Sequence, residues 1–200
     1  MPAAIYAHLT SQDIERQARV IRPGEWAVED TRPIATLLGS CVAVCLFDSG
    51  IPVGGMNHFM LPKMNSGKHA EEDMLLAGDA CMEALLNALL NRGAAKHRIQ
   101  AKAFGGGTVI ESNKQLLTIG RRNVEFAQQW LERERIPLVA SNFLGPWARK
   151  ILFLPENGDA YCKRMTSNQI SPESIRREEE AYRQTQTPPP AASTKKIELF

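Results

Sequence analysis

The strongest constraint on the fold is an unbroken apolar run at residues 41–47, which reads Cys-Val-Ala-Val-Cys-Leu-Phe. A Gly-Ser pair at residues 39–40 precedes the run, and Asp-Ser-Gly at residues 48–50 ends it. Short apolar runs that contain β-branched residues and are bounded by turn residues are typical of buried strands. We therefore expect a strand buried on both faces, followed by a turn.

Other patterns in the chain predict further strands and two long helices. A second apolar run, at residues 53–61, is close enough in sequence to form a hairpin with the first. Apolar residues at helical spacing predict helices at residues 69–92 and 123–135. Additional strands are predicted at residues 25–28, 34–38, 99–104, 138–140, 151–154 and 160–164. Roughly seven to nine strands with two or three helices indicate a mixed α/β layered domain.

The two ends of the chain differ from this central region, which spans about residues 20–166. Residues 1–19 are polar and weakly patterned, and we interpret them as an N-terminal extension. Residues 167–200 are predicted to form a helix that starts near Pro172, followed by a flexible proline-containing tail. The last six residues end in Glu-Leu-Phe, and both docking and disorder remain open for them.

Composition excludes several classes of protein. Hydrophobic residues make up 44% of the chain and charged residues 23%, with a formal net charge of +2. This balance is typical of a globular domain and gives no reason to expect a nucleic-acid partner. The first residues lack a secretory signal, and polar residues interrupt the most apolar helix, so we expect no membrane insertion. Four cysteines without a disulfide pattern favour the cytoplasm.

Cys41 is the first candidate for chemistry because it follows the Gly-Ser pair at the start of the buried strand. A side chain at a loop-to-strand boundary is rigidly held, and the N–H groups of such a turn can stabilise an oxyanion. A nucleophilic thiol also needs a basic neighbour. The alternative is a small buried hydrophobic residue, which is what most free cysteines are.

His58 is the candidate for that basic neighbour. It lies in the second apolar run, whereas His8, His69 and His97 fall in the extension or near the ends of the first long helix. If the two strands pair, the Cys41 thiol and the His58 imidazole come within hydrogen-bonding reach. The alternative is a core histidine whose nitrogens are satisfied by the backbone.

Metal and cofactor sites are not predicted. Cys41 and Cys45 lie about 13 Å apart along a strand, and no second Cys/His pair follows them. The three glycines at residues 105–107 lack the Lys-Ser/Thr of a phosphate-binding loop. We expect them to allow a close backbone approach to the active centre or tight packing. Cys45 and Cys81 are interpreted as core residues, and Cys162 as a hairpin residue.

Five segments occur in an order that resembles the CheD family of chemoreceptor glutamine deamidases. The resemblance covers about residues 20–165, and its most specific elements are Gly-Ser-Cys-Val at residues 39–42 and His-Phe-Met-Leu-Pro at residues 58–62. The segments are Pro23-Gly-Glu25, Thr36-Leu-Leu-Gly-Ser-Cys-Val-Ala-Val44, Gly54-Gly-Met-Asn-His-Phe-Met-Leu-Pro62, Phe104-Gly-Gly106 and Ile119-Gly-Arg-Arg-Asn-Val124.

The resemblance implies an α/β fold, a three-layer α-β-α sandwich with a mixed sheet similar to cysteine-dependent deamidating toxins. It also implies a Cys–His–Thr arrangement with Cys41 as nucleophile, His58 as base and Thr36 as third residue, Ala35 being the neighbouring alternative. The implied activity is deamidation of glutamine side chains on methyl-accepting chemotaxis receptors to glutamate, through a cysteine thioester and without a cofactor.

The resemblance also implies a possible second partner, a response-regulator phosphatase. One difference from the family is residues 144–149, Leu-Gly-Pro-Trp-Ala-Arg, where many members have a glycine-rich stretch; it concerns substrate or partner contacts more than the chemistry. Three other functions remain open at this point. They are a non-catalytic adaptor for a chemotaxis phosphatase or receptor, a receptor methylesterase, and a redox-sensing thiol.

Overall fold

The computed structural model describes residues 6, 10–61, 70–108, 114–165 and 171–185. These residues form four α-helices and nine strands, with a short 3₁₀ turn at Lys96–Arg98. In chain order the elements are α1 (Ser11–Gln17), β1 (Arg19–Val20), β2 (Trp26–Glu29), β3 (Ile34–Leu38), β4 (Val42–Asp48), β5 (Gly54–Asn57), α2 (Ala70–Asn91), β6 (Ile99–Gly105), α3 (Lys114–Arg133), β7 (Leu138–Phe143), β8 (Ala148–Leu154), β9 (Asp159–Met165) and α4 (Pro172–Thr185).

The strands form two mixed sheets. The five-stranded sheet has the order β2-β5-β4-β6-β7, and the four-stranded sheet has the order β1-β3-β8-β9. In each sheet one pair is parallel, β6 with β7 and β1 with β3, and the other pairs are antiparallel. The expected α/β class with mixed pairing is confirmed. The strands are nevertheless divided between two sheets, where one sheet was expected, because residues 39–41 carry the chain from β3 in one sheet to β4 in the other.

The alternation of side chains along β4 explains why residues 42–47 are all apolar. Val42, Val44 and Leu46 pack in the core that also contains apolar residues of α2 and α3. Ala43 and Cys45 point to the opposite face and pack in the core shared with the four-stranded sheet. Because successive side chains of a strand point to opposite faces, a strand between two cores needs apolar residues at every position.

The four-stranded sheet is covered on its outer face by α1. Ile14 and Ala18 are buried there against Leu152 and Leu154 of β8. Residues 11–19, within the segment interpreted as an extension, thus contribute a packed helix and, together with Val20, a strand that pairs with β3. The layers are therefore α2 and α3, the five-stranded sheet, the four-stranded sheet, and α1.

Several local predictions are confirmed with shifted ends. The β4–β5 hairpin forms with Cys45 opposite Met56. The β8–β9 hairpin forms around Gly158, whose φ of 76° is in the left-handed region that the Asn-Gly turn signal predicts. The second long helix begins at Lys114, nine residues before the predicted 123. The predicted C-terminal helix is present as α4, and the tail at 186–200 lies outside the described residues.

No helix in the described part of the chain is long and apolar enough to cross a membrane.

Candidate active site

The turn at residues 39–41 is held by hydrogen bonds to all three of its carbonyl groups. Gly39 O accepts from Gly107 N–H at 2.8 Å, and Cys41 O accepts from Gly106 N–H at 2.8 Å. Ser40 O accepts from Asn123 Nδ2 at 2.9 Å. A trans peptide directs its N–H away from its C=O. The N–H groups of Ser40 and Cys41 are therefore fixed in orientation, on the side of the turn opposite these partners.

The glycine run at residues 105–107 makes this arrangement possible. Gly105 has φ 122°, and a Cβ added there would lie 2.2 Å from Cys41 O. Gly106 also has positive φ, at 68°. Only glycine adopts such a backbone routinely, and only glycine leaves room for the neighbouring chain. The close backbone approach predicted for these glycines is confirmed.

Asn123 is a site residue that sequence reasoning did not single out, although it lies in the motif at residues 119–124. Its side chain is fully buried; besides donating to Ser40 O, its Oδ1 accepts from Leu61 N–H at 2.9 Å. Asn123 thus connects α3 to the turn and to the segment that follows His58. A buried asparagine in a helix of otherwise regular periodicity was the available signal.

Thr36 and His58 are in direct contact. Thr36 Oγ1 lies 2.8 Å from His58 Nδ1 and donates to the carbonyl of Ile21 at 2.8 Å. Since a hydroxyl has one proton, the bond to His58 requires Nδ1–H to donate to Oγ1. The Nε2 atom then carries the lone pair. Among the described residues Nε2 has no hydrogen-bond partner, although it is buried. The imidazole is therefore held in the tautomer in which Nε2 is available as a base.

The backbone of His58 is also fixed. Its N–H donates to Glu25 O at 2.9 Å, and its carbonyl accepts from Gly24 N–H at 2.8 Å. The segment that leads into β2 thus holds the backbone of the histidine.

Cys41 and His58 lie on the same face of adjacent chain segments. Val42 and Phe59 exchange both backbone hydrogen bonds of an antiparallel bridge, at 3.0 and 2.9 Å. In this register Cys41 is a diagonal neighbour of His58, and diagonal Cβ atoms typically lie about 7 Å apart or somewhat less. The pairing of the two apolar runs therefore places Cys41 and His58 as diagonal neighbours on one face, and their action as a nucleophile–base pair stays a prediction.

Burial controls the ionisation of this site. The exposed fractions of Thr36, Cys41 and His58 are 3%, 0% and 2%. Burial lowers the pKa of His58 to about 3, against a smaller opposing effect of the Ile21 carbonyl. The imidazole is therefore neutral at pH 7.

The other cysteines have weakly acidic thiols. Burial raises the pKa of Cys45, and it raises the pKa of Cys81 to about 11 despite a hydrogen bond with Asn57. Burial also raises the pKa of Cys162, which lies on β9. Thiols of high pKa are poor nucleophiles at neutral pH, which agrees with core or hairpin roles for these residues. Within the described ranges, no three His, Cys, Asp or Glu side chains are placed to hold a metal ion.

Residues 144–149 support the glycine run from its far side. Arg149 is buried, and its guanidinium donates to Asn142 Oδ1 at 2.7 Å and to the carbonyls of Trp147 and Leu144. Gly145 O accepts from Thr108 N–H at 2.8 Å. This segment, where the sequence differs from the family pattern, therefore contributes structure close to the turn.

A glutamate of α4 occupies the N–H groups of the turn. Glu179 Oε1 accepts from Ser40 N–H at 2.6 Å and from Cys41 N–H at 3.3 Å, and Oε2 accepts from the Ser40 hydroxyl at 2.7 Å. The Glu179 side chain is buried between α4 and the turn. The local sequence does not distinguish Glu179, because it lies in a charged segment far from the motifs.

Two apolar side chains hold α4 in this position. Ile175 is so close to the turn that a Cβ added at Gly39 would lie 2.6 Å from its Cγ2. A Cβ added at Gly24 would lie 2.3 Å from the ring of Tyr182. Ile175, Glu179 and Tyr182 are spaced four and three residues apart and share one helix face. The seven-residue spacing of Ile175 and Tyr182 was the signal in the sequence.

Comparison with known proteins assigns the chain to a family. A family model described as CheD chemotactic sensory transduction matches residues 60–164. A relative from Dechloromonas aromatica, named "Probable chemoreceptor glutamine deamidase CheD 2", is 60% identical over 195 residues, which cover 98% of this chain and 99% of the relative. The chain belongs to the CheD family.

Other relatives extend the same result. CheD 2 of Burkholderia thailandensis is 43% identical over 161 residues, with 80% of this chain and 82% of the relative covered. The CheD of Cupriavidus metallidurans is 38% identical over 211 residues, covering 100% of this chain and 92% of the relative. Both are named probable chemoreceptor glutamine deamidases. The solved structure of Bacillus licheniformis hypothetical protein YfiH aligns with 59% of this chain and 49% of its own at a TM-score of 0.36 and 13% identity, too low to bear on the fold.

Proposed function

We propose that this chain is a cysteine hydrolase that deamidates glutamine side chains of methyl-accepting chemotaxis receptors to glutamate. The observation that carries the proposal is the hydrogen bond from His58 Nδ1 to Thr36, which leaves Nε2 as a base on the face that carries Cys41. The names of the CheD relatives, chemoreceptor glutamine deamidases, support the substrate.

In the first half of the reaction, Nε2 of His58 takes the thiol proton of Cys41, and the sulfur attacks the carboxamide carbon of the glutamine. The carbonyl oxygen becomes an oxyanion, which the N–H groups of Ser40 and Cys41 stabilise by hydrogen bonds. The imidazolium then gives its proton to the nitrogen, the C–N bond breaks, and ammonia leaves. The product of this half is a γ-glutamyl thioester on Cys41.

In the second half, Nε2 removes a proton from water as the water oxygen attacks the thioester carbon. The C–S bond breaks, the sulfur recovers the proton, and glutamate is released. Ser40 and Cys41 stabilise the second oxyanion in the same way. Each proton that His58 accepts is returned within one turnover, so the two steps need no cofactor.

Thr36 acts by orientation in this mechanism. Its hydroxyl holds the Nδ1–H, as the carboxylate of a Ser–His–Asp triad does. A neutral hydroxyl lacks the charge that stabilises an imidazolium, which is consistent with the low pKa of His58. A base of low pKa favours rapid return of the proton to the leaving nitrogen.

The proposal assigns catalysis to residues 20–166 and leaves residues 167–200 outside the catalytic core. It also includes action in the cytoplasm and binding to a response-regulator phosphatase as a second partner. A fold similar to that of cysteine-dependent deamidating toxins is likewise part of the proposal and is implied by the family resemblance.

The test measures ammonia release and receptor mass, using a purified receptor cytoplasmic domain and full-length variants. We expect wild type to add about 1 Da at specific glutamines, and Cys41→Ala and His58→Ala to abolish the gain. Cys45→Ala is the matched control, since it removes an equally buried thiol from the strand that follows Cys41 and should retain activity. Methanol release would instead identify a methylesterase. A folded wild type that leaves a matched receptor unchanged would contradict the deamidase and favour the adaptor.

A further inference from the structure

The γ-carboxylate of Glu179 lies against the two backbone N–H groups of the turn. A γ-carboxylate is also the group that deamidation of a glutamine side chain produces. Glutamate differs from glutamine only in having oxygen where the amide has nitrogen, so the two side chains fit the same donors. Oε1 accepts from both Ser40 N–H and Cys41 N–H, as the oxygen of a bound product would. In addition, the Ser40 hydroxyl donates to Oε2 at 2.7 Å.

The position of α4 also closes the site. Cys41 has no exposed surface, and Gly24 and Gly39 are in contact with Tyr182 and Ile175 of the helix. A glutamine carried by a separate protein would have to reach the same N–H groups. Substrate and Glu179 cannot accept from these donors at the same time.

The attachment of α4 is of the kind that can be reversed. The helix has 14 residues, a length at which an isolated helix is marginal in water. It follows β9 after six residues, so it is tethered close to the turn, and a tethered ligand has a high effective concentration. Ile175, Glu179 and Tyr182 provide its contacts to Gly39, Ser40 and Gly24, whereas Glu173 and Arg177 are exposed.

We propose that α4 is an internal competitor of the substrate, which occupies the glutamine site with Glu179 in the place of the product carboxylate. The inference rests on the proposed function for the identity of the site. Deamidation then requires α4 to leave the turn, and the apparent KM for the receptor includes the cost of displacing it. A protein that captured the free helix would activate the enzyme.

The first experiment measures occlusion without any catalytic turnover. Full-length wild type, Glu179→Ala and Ile175→Ala are treated with iodoacetamide, and alkylation of Cys41 is followed by peptide mass spectrometry. We expect the Cys41 rate to rise about tenfold in both variants, because each loses a buried contact that holds the helix. Glu173→Ala is the matched control, since it removes an exposed glutamate from the same helix and should alkylate at the wild-type rate. Wild-type rates in both Glu179→Ala and Ile175→Ala would overturn the proposal, whatever the receptor assay gives.

The second experiment uses the receptor domain and separates KM from kcat. Displacing a competitor lowers the apparent KM and leaves kcat unchanged, because substrate binds only the open fraction of the enzyme. We expect Glu179→Ala to lower KM by about tenfold. If α4 only stabilises the core, Glu179→Ala will have an unchanged or raised KM. That outcome overturns the proposal, even if wild type deamidates the receptor.

The third experiment replaces the product-like side chain with a substrate-like one. In Glu179→Gln a carboxamide lies on the Ser40 and Cys41 N–H groups, and we expect position 179 to gain about 1 Da on incubation without receptor. The same change combined with Cys41→Ala should gain nothing, and Glu173→Gln should stay unmodified. If wild type deamidates the receptor and Glu179→Gln does not modify itself, the assignment of Glu179 as product mimic is wrong. If neither reaction occurs, the proposed function has failed, and alkylation alone decides whether α4 covers Cys41.

Discussion

Thr36 and His58 form a hydrogen bond of 2.8 Å whose direction is determined by a third group, the Ile21 carbonyl. Because the threonine proton is already donated to that carbonyl, the histidine must donate to the threonine. A side chain without charge thus selects the tautomer of the histidine that we propose as the catalytic base.

The first prediction concerns this hydrogen bond. Thr36→Val keeps the shape of the side chain but removes the hydroxyl, so His58 loses the partner that orients Nδ1–H. We expect kcat for receptor deamidation to fall by about 10- to 100-fold, while KM stays near the wild-type value. Thr36→Ser retains the hydroxyl and should restore most of the rate. A Thr36→Val enzyme with wild-type kcat would show that Thr36 does not position the base.

The second prediction concerns pH and stability. The pKa of His58 is about 3 in the folded protein and about 6.5 in the unfolded chain. Between these values the unfolded chain binds a proton that the native protein does not, so stability falls as pH falls from 6.5 toward 3. The contribution at pH 5 is about 2 kcal/mol of lost stability.

Urea unfolding at pH 7 and pH 5 measures this loss. We expect wild type to lose about 2 kcal/mol more than His58→Gln between the two pH values. Asp48, whose pKa burial raises but hydrogen bonds from Arg98, Ala95 and Gly50 lower to about 2, titrates below this range. Equal losses in wild type and His58→Gln would contradict a neutral buried His58.

The third prediction concerns Asn123. Asn123→Ala leaves Ser40 O and Leu61 N–H without these partners, so the peptide that carries Cys41 N–H loses its hydrogen bond to α3. We expect about 1–3 kcal/mol of lost stability together with a fall in kcat. Asn57→Ala is a strict control, because Asn57 is equally buried, accepts from Val44 N–H at 2.9 Å and precedes His58. It should lose similar stability but retain kcat. Equal kcat in the two variants would argue against a positioning role for Asn123.

The fourth prediction compares two glycines with positive φ. A Cβ at Gly105 would lie 2.2 Å from Cys41 O, whereas one at Gly93 would have nothing within 4 Å. Gly93→Ala should cost about 1 kcal/mol for its backbone conformation alone. Gly105→Ala adds a clash with the turn, so we expect a loss several kcal/mol larger and no measurable deamidation. Thermal unfolding distinguishes the two, and equal costs would refute the importance of the close approach.

Local patterns in the sequence predicted the strands around the candidate active site. The apolar run at residues 41–47 indicated β4, and the second run, at residues 53–61, indicated its hairpin partner β5. The motifs indicated Cys41, His58 and Thr36 as site residues. The contact between Thr36 and His58 is present in the structure, although their catalytic roles remain a proposal. The strand inferences succeeded because burial on both faces is a property of a short segment.

Two features could not be predicted in this way. The apolar residues of β4 predict that both of its faces are buried. They do not predict that one of these faces packs against a second sheet. The contact between Ser40 and Glu179 joins residues 139 positions apart, and no local periodicity contains it. Most residues of α4 are charged or polar, so in the sequence the face that carries Ile175 and Tyr182 does not stand out. The segment therefore resembles a solvated tail until the surface that it packs against is known.

The fixed carbonyls of residues 39–41 have a consequence for how the protein could be re-engineered. The orientation of the Ser40 and Cys41 N–H groups is set by Asn123 and by the glycine run at residues 105–107, which are buried. The helix α4, which covers these N–H groups, does not set it. The turn that holds the N–H groups and the helix α4 that covers it are therefore separate parts of one chain. If α4 competes with the substrate as proposed, exchanging its inner face for another sequence would change which signal admits substrate and would leave the proposed reaction centre as it is.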